Sequence, residues 1–358
     1  GGRGPGMGGL RRPFGAAARG HAGRAVEGHF RLSVDRAFTI PGAGLIVTGA
    51  VFSGQVAVGD HLILAAQGRE RPIEARVRGL RALDREAEFG RAGQRCAINI
   101  AGPDVHQSAV SRGDWLLAPP IHAPVRKFDA RVKVLDSEAR PLAHWTPVHL
   151  HLAAADVTGR IAVLGERRIP SGEDALAQLV LDAPVGALFG DRFILRDQSA
   201  QRTMAGGMVI DPFPPHRGRA RPDRLAMLRA MEGETPAGAL AAMTAAPNNG
   251  INLARFAQTR NLAGAEAEKP RQIEGLVVLP AAGGDLAVSE SHWRDMEQAI
   301  LAALAAWHMK QPEAVGPNDH ALRPALAAPP APALLAAAIA YLVAQNGIIR
   351  DGISLRLP

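Results

Sequence analysis

Asp35-Arg36-Ala37-Phe38-Thr39-Ile40-Pro41-Gly42-Ala43-Gly44-Leu45-Ile46-Val47-Thr48-Gly49 is the stretch from which the fold can be read. Just before and into it, Phe30, Leu32 and Val34 alternate with Arg31, Ser33 and Asp35, the period of a strand with one buried face. Pro41, Gly42 and Gly44 interrupt that strand. The nearly unbroken apolar run from Leu45 to Phe52 then predicts a buried partner strand. Counting on from Val34, Arg36 falls on the apolar parity with Phe38 and Ile40, and Asp35 falls on the other. A guanidinium on an apolar face is costly unless something anionic or a set of carbonyls meets it. Two readings follow from the chemistry alone: a structurally satisfied arginine, or a pocket that waits for an anion.

Working outward, residues 29–118 are rich in short strands and show no helical period. Gln55–Asp60, Leu62–Ala65, Arg76–Leu80, Arg95–Ile100 and the piece around Trp115 follow the opening hairpin, with turns such as Gly59-Asp60 between them. Regularly spaced short strands predict a small antiparallel barrel, which closes its own edges and leaves loops free to bind. Pro119-Pro120 marks a linker, and residues 122–215 repeat the pattern as a second barrel. Pro212, Pro214, Pro215 and His216-Arg217-Gly218-Arg219 then form a rigid, basic connection.

Beyond it the period becomes helical. Asn252 is placed to cap a helix over Leu253 to Arg260, and Gly275–Leu279 with Asp285–Val288 reads as a hairpin. Residues 220–288 are therefore expected to be a winged helix. The pattern recurs over 289–358: Trp293, Met296, Ile300, Leu304 and Trp307 stripe one helix, Asn318–Ala327 and Ala333–Gln345 give two more, and Asp351-Gly352 turns a closing hairpin. The expected fold class is thus two all-β antiparallel barrels followed by two α+β winged-helix units. Residues 1–28, rich in Gly and Arg, are expected to be a disordered lead-in with a fragment of helix near Ala16–Ala25.

The charge is asymmetric. Before position 220 there are 29 basic and 21 acidic residues, and from it onward 12 and 13, so the whole net charge of +7 sits in the first two-thirds. Only four of the cations are lysines, and the sequence pI is near 10.5. Such a balance suggests a polyanionic partner. The single cysteine, Cys96, excludes an internal disulfide and suits a reducing cytosol. No signal peptide is expected, and the longest apolar run, Ala333 to Ala344, is too short and too rich in Ala to cross a bilayer.

Enzymatic signatures are missing. No Gly-x-x-x-x-Gly-Lys-Ser/Thr loop or Asn-Lys-x-Asp element occurs, and no paired carboxylates or Ser/His/Asp arrangement stands out. The expectation is that this chain is not an enzyme and holds no metal or cofactor. His149 and His151, one residue apart on a strand, with Asp156 as a third donor, could form a metal pair, but no further ligand lies at a telling spacing.

The residues quoted also carry a resemblance. Asp35 to Gly49 closely resembles the opening of the second domain of translational GTPases, and most closely that of the selenocysteine-specific elongation factors. Val58-Gly59-Asp60, Ala92-Gly93-Gln94-Arg95 and Arg112-Gly113-Asp114 are similar to pieces of the same domain in the same order. Asp156-Val157-Thr158-Gly159 and Gly190 to Asp211 resemble the third domain of elongation factor Tu. The resemblance implies an aminoacyl pocket at Asp35, Arg36 and Arg95, and tRNA contacts at Arg192, Arg196 and Arg202. It further implies a cytoplasmic, monomeric factor that delivers selenocysteinyl-tRNA to the ribosome, with no membrane partner.

In that family GTP and Mg²⁺ belong to a GTPase domain, and the mRNA hairpin is gripped by further winged-helix units. Neither part is expected in this chain. Two rival readings remain: a tRNA- or ribosome-binding accessory without selenium specificity, and a protein-docking scaffold that binds no RNA.

Overall fold

The structure, a computed structural model, describes residues 26–65, 71–83, 85–246 and 250–358. The helix expected near 16–25 lies outside the described residues. Two compact units divide at His122–Ala123.

In the first unit the strands are β1 (Arg31–Ile40), β2 (Gly44–Ser53), β3 (Gln55–Ala57), β4 (His61–Ala65), β5 (Ile73–Ala82), β6 (Arg85–Glu86), β7 (Phe89–Arg91), β8 (Arg95–Ala101) and β9 (Trp115–Leu117). The order β4-β9-β1-β2-β8-β5, closed by pairing of β4 with β5, makes a six-stranded antiparallel barrel. Its interior is filled by Leu32, Val34, Val47, Leu64, Ile98 and Ile100, each almost wholly buried. Alternation along the strands supplies this core, as it does in small barrels generally.

One irregularity decides what the barrel presents. Val34 pairs with Gly49 and Arg36 with Thr48, so Asp35 is an extra residue in β1, a β-bulge. Val34 points into the core and Ala37 packs against it, leaving Asp35 and Arg36 together on the outer face. The expectation from parity is corrected here. Arg36 is exposed, not turned inward, and Phe38 and Ile40 follow it outward at 39% and 42% exposure. Simple counting fails because one extra residue moves every later side chain to the opposite face.

Gly49 stands under the bulge. A Cβ built there would run into the Ser33 carbonyl and lie 2.8 Å from Leu32 Cδ2. The close approach of the backbones requires glycine at this position.

The second unit opens with β10 (Pro124–Val134), β11 (Leu142–Ala143), β12 (Thr146–Leu152), β13 (Ala155–Val163), β14 (Arg168–Ile169), β15 (Asp174–Gly186), β16 (Arg192–Arg196) and β17 (Thr203–Asp211). Six of these close a barrel in the order β10-β15-β13-β12-β16-β17. There follow α1 (Pro222–Met231), α2 (Pro236–Ala245), β18 (Ile251–Asn252), α3 (Leu253–Thr259), the short α4 (Ala265–Glu268), β19 (Leu276–Leu279) and β20 (Leu286–Ser289). The Asn252 side chain caps α3 by accepting from the Arg255 amide, and β18-β20-β19 form a small sheet, the arrangement of a winged helix.

This winged helix is not strung loosely after the barrel. Leu164, Leu176 and Ile210 of the barrel share one core with Leu228, Met231, Leu240 and Phe256. Arg224 of α1 bridges two buried barrel carboxylates, donating from Nη2 to Asp129 Oδ2 at 2.5 Å and to Asp211 Oδ2 at 2.6 Å.

A second core gathers α5 (Glu290–Lys310), α6 (Asp319–Leu322), α7 (Pro332–Ala344) and the hairpin β21 (Ile349–Asp351) with β22 (Ser354–Arg356). Asp351 pairs with Ser354, so the turn is Gly352-Ile353, one residue beyond the expected Asp351-Gly352. Only Gly352 adopts a positive φ, 59°.

Candidate aminoacyl and tRNA site

The outer face beside the bulge brings together residues from three adjacent strands. Asp35 lies on β1, Thr48 on β2 and Arg95 at the start of β8, with β2 between the other two. Asp35 Oδ1 accepts from Thr48 Oγ1 at 2.7 Å and from Arg95 Nη2 at 3.0 Å, while Arg95 Nη1 donates to Asp35 Oδ2. The pairing is two-pronged, the geometry for which a guanidinium is suited and an ammonium is not. Burial alone would push the Asp35 carboxyl up. The hydrogen bonds from Arg95 and Thr48, with the charges of Arg95 and Arg36, outweigh it and hold the group below its ordinary value.

Asp35 and Arg95 therefore meet directly, 60 residues apart in sequence. Arg36 stands next to them and makes no hydrogen bond or ion pair among the described residues. The chemical result is a fixed carboxylate flanked by two guanidiniums, one held in plane and one exposed. Arg95 is itself 57% exposed, so its charge remains open to solvent and to a ligand. Thr48 is the member that reading the sequence missed. The signal was a hydroxyl residue inside an otherwise apolar run, facing out where the strand alternates.

The second barrel gives the three other arginines unequal roles. Phe193 and Leu195 of β16 point inward, so Arg192, Ile194 and Arg196 line the outer face. Arg196 Nη1 donates to the Ala200 carbonyl at 3.0 Å and so braces the turn into β17. Arg202 Nη1 donates to Glu138 Oε2 at 2.7 Å. Arg192 is exposed and has no hydrogen bond or ion pair among the described residues.

On the neighbouring β12, His149 Nδ1 lies 3.1 Å from Asp156 Oδ1 and His151 Nε2 lies 3.9 Å from it. Among the described residues no three His, Cys, Asp or Glu side chains are placed to hold a metal ion. Among them, too, no helix is long and apolar enough to cross a membrane.

In the winged-helix units two of the wing cations already have partners, while Arg356 of β22 meets no carboxylate among the described residues. Arg271 pairs with Glu268 at 2.9 Å and with Asp285, and Arg350 with Asp319 at 3.0 Å.

Residues 44–117 match the family model described as elongation factor Tu domain 2, and residues 129–216 match that of the selenocysteine-specific elongation factor, beta-barrel domain. A selenocysteine-specific elongation factor of Escherichia coli (strain K12) is 39% identical over 302 residues, 84% of this chain and 45% of that protein. One of Desulfomicrobium baculatum is 35% identical over 184 residues, 51% of this chain and 28% of that protein. One of Haemophilus influenzae is 29% identical over 287 residues, 80% of this chain and 44% of that protein. The chain thus spans at most about half the length of these relatives. A crystal structure of a bacterial selenocysteine-specific elongation factor, EF-Sec, superposes with a TM-score of 0.68 at 16% identity, over 98% of this chain and 53% of that one, a likeness of fold.

Proposed function

The chain belongs to the selenocysteine-specific elongation factor family, and on that premise we propose that it is the part of such a factor that holds the aminoacyl end and body of selenocysteinyl-tRNA on its way to the ribosome. The observation that carries the reading is the Asp35–Arg95 pair with Arg36 beside it on the outer face of the first barrel. A selenol is more acidic than a thiol, whose reference pKa is about 8.5, so selenocysteine arrives as an anion at neutral pH. Arg36 and Arg95 supply charge-assisted donors for it, whereas a seryl group brings no charge to match. Asp35 fixes the Arg95 fork and offers a carboxylate to the aminoacyl ammonium.

The tRNA body lies, in this reading, on the basic first two-thirds of the chain, with Arg192 the most available of the three barrel arginines. The winged-helix units, nearly neutral and with Arg271 and Arg350 engaged by carboxylates, act as an arm that sets distance rather than as RNA readers. No step of GTP hydrolysis is assigned to these residues, because the matched domains are parts of a GTPase factor that carry no catalysis. Its setting is the cytoplasm.

Filter binding of selenocysteinyl-, seryl- and deacylated tRNA at graded salt tests the proposal. The expected result is a salt slope of several ions for all three, with selenocysteinyl-tRNA held tightest. Equal affinity for the seryl and selenocysteinyl forms would return the chain to the accessory reading. Absence of any salt-dependent tRNA binding would favour the docking scaffold.

A further inference from the structure

A cleft of about 510 Å³ opens in the second unit where the end of the barrel, the 212–219 linker, α1 and α3 meet. We propose that this cleft is a binding site for a small oligophosphate anion, separate from the aminoacyl pocket and from the barrel face that carries Arg192.

Five arginines line it, Arg217, Arg221, Arg224, Arg255 and Arg260, against two carboxylates, Asp211 and Asp223. Arg224 is paired with Asp129 and Asp211 through Nε and Nη2, and Arg221 lies 3.4 Å from Asp223. That leaves Arg217, Arg255 and Arg260, none of which meets a carboxylate among the described residues. Arg255 stacks over Phe213 at 4.1 Å, and Arg260 over Phe189 at 4.0 Å. Stacking occupies the guanidinium faces; Arg255 Nη1 donates to Gln258 Oε1 at 3.2 Å, and its remaining N–H groups are left for an acceptor. Arg260 gives its Nη2 to the Met231 and Gly233 carbonyls, and burial without a compensating anion lowers its pKa to about 10. A cleft that gathers uncompensated positive charge on aromatic supports is organised to receive negative charge.

The ligand class follows from what else is present. Asn252, the one side-chain amide among the described lining residues, is spent on capping α3 and on the Gly283 carbonyl. Thr259, the one hydroxyl, is buried. Among the described lining residues no further side-chain amide or hydroxyl is left to read the edge of a base, so recognition rests on phosphate charge. The volume suits a chain of two or three phosphates, with the apolar floor of Met227, Met231 and Met243 indifferent to what the chain is attached to. Occupancy would draw the linker, α1 and α3 onto the barrel end and tighten the joint between barrel and winged helix.

Calorimetric titration of the full chain with inorganic tripolyphosphate at low salt tests this, with a nucleoside triphosphate as the second arm. One saturable site is expected, of similar affinity for both probes if the phosphate chain alone is read. Arg217→Ala and Arg255→Ala, at exposed positions, should each weaken it about ten- to a hundredfold. Arg294→Ala, on α5 and outside the cleft, should leave it unchanged, and circular dichroism verifies folding. Lack of saturable binding, or equal affinity in both cleft variants and the unaltered chain, overturns the proposal. So does a loss in those variants that falls on tRNA and spares tripolyphosphate, which would make the cleft an RNA contact. The aminoacyl reading stands or falls separately, because its residues are in the other unit.

Discussion

Asp35 and Arg95 form a two-pronged ion pair that reaches over the intervening strand β2, with Thr48 of that strand donating to the same carboxylate at 2.7 Å. Asp35 faces outward by the alternation of β1, and the bulge there brings Arg36 to the same face beside the pair.

Its titration is the first test. With its folded pKa below the unfolded one, Asp35 adds stability that is fully present above the unfolded value and is lost as pH falls through the folded value. Carboxyl-carbon NMR should therefore find the Asp35 midpoint below that of an ordinary aspartate. Arg95→Ala should raise it, and Thr48→Val should raise it less. A midpoint insensitive to Arg95→Ala would mean that the pair does not persist in solution.

Gly49 supplies a purely steric prediction. The added methyl of Gly49→Ala meets the Ser33 carbonyl and Leu32, so the bulge must shift or the strands part. A loss of about 1–3 kcal/mol is expected in urea denaturation, the usual cost of overpacking. A neutral substitution would show that the bulge is more pliant than its geometry implies.

How much of this was legible beforehand depends on periodicity. Alternation at Phe30, Leu32 and Val34 and the Gly/Pro punctuation carried the two barrels, and the helical stripe through Trp293, Met296, Ile300 and Leu304 carried α5. Asp35 and Arg95 were named because of a family resemblance, not because their contact could be counted out. The bulge was illegible, since one inserted residue leaves no mark on composition and reverses the parity on which the argument for Arg36 rested. The shared core of the second barrel and first winged helix was hidden too, because alternation and helical spacing mark which residues are apolar without saying which element they meet, as Leu164 and Leu228 do in one core.

The joint between those two elements can be probed at Arg224. Asp129 is fully buried, and removing the guanidinium leaves it and Asp211 facing each other without a counter-charge. Arg224→Ala should cost ~3–5 kcal/mol, the range for breaking one side of a buried pair. The double variant Arg224→Met/Asp129→Leu should recover part of that, as measured by thermal or urea unfolding. If the single substitution were silent, the ion-pair cluster would not hold the joint.

The tRNA face is tested by ranking three arginines. Arg192→Ala should lower affinity for every aminoacyl form alike and reduce the salt slope by about 1, the signature of one lost phosphate contact. Arg196→Ala and Arg202→Ala should do less to the slope, because Ala200 and Glu138 already engage those side chains. A larger slope change at Arg202 than at Arg192 would contradict the assignment.

The central claim, that Arg36 and Arg95 discriminate the selenolate, is tested most directly by the ratio of selenocysteinyl- to seryl-tRNA affinity in Arg36→Ala and Arg95→Ala chains. Each lost charge-assisted contact should cost roughly 1.5–3 kcal/mol, one to two decades, for the selenocysteinyl form alone. Lysine at either position should restore only part of the ratio, because it returns the charge without the planar fork. A ratio that falls toward one in both alanine variants, with seryl-tRNA binding unchanged, is the predicted result. A ratio that stays at its starting value in both would make these arginines structural and contradict the account.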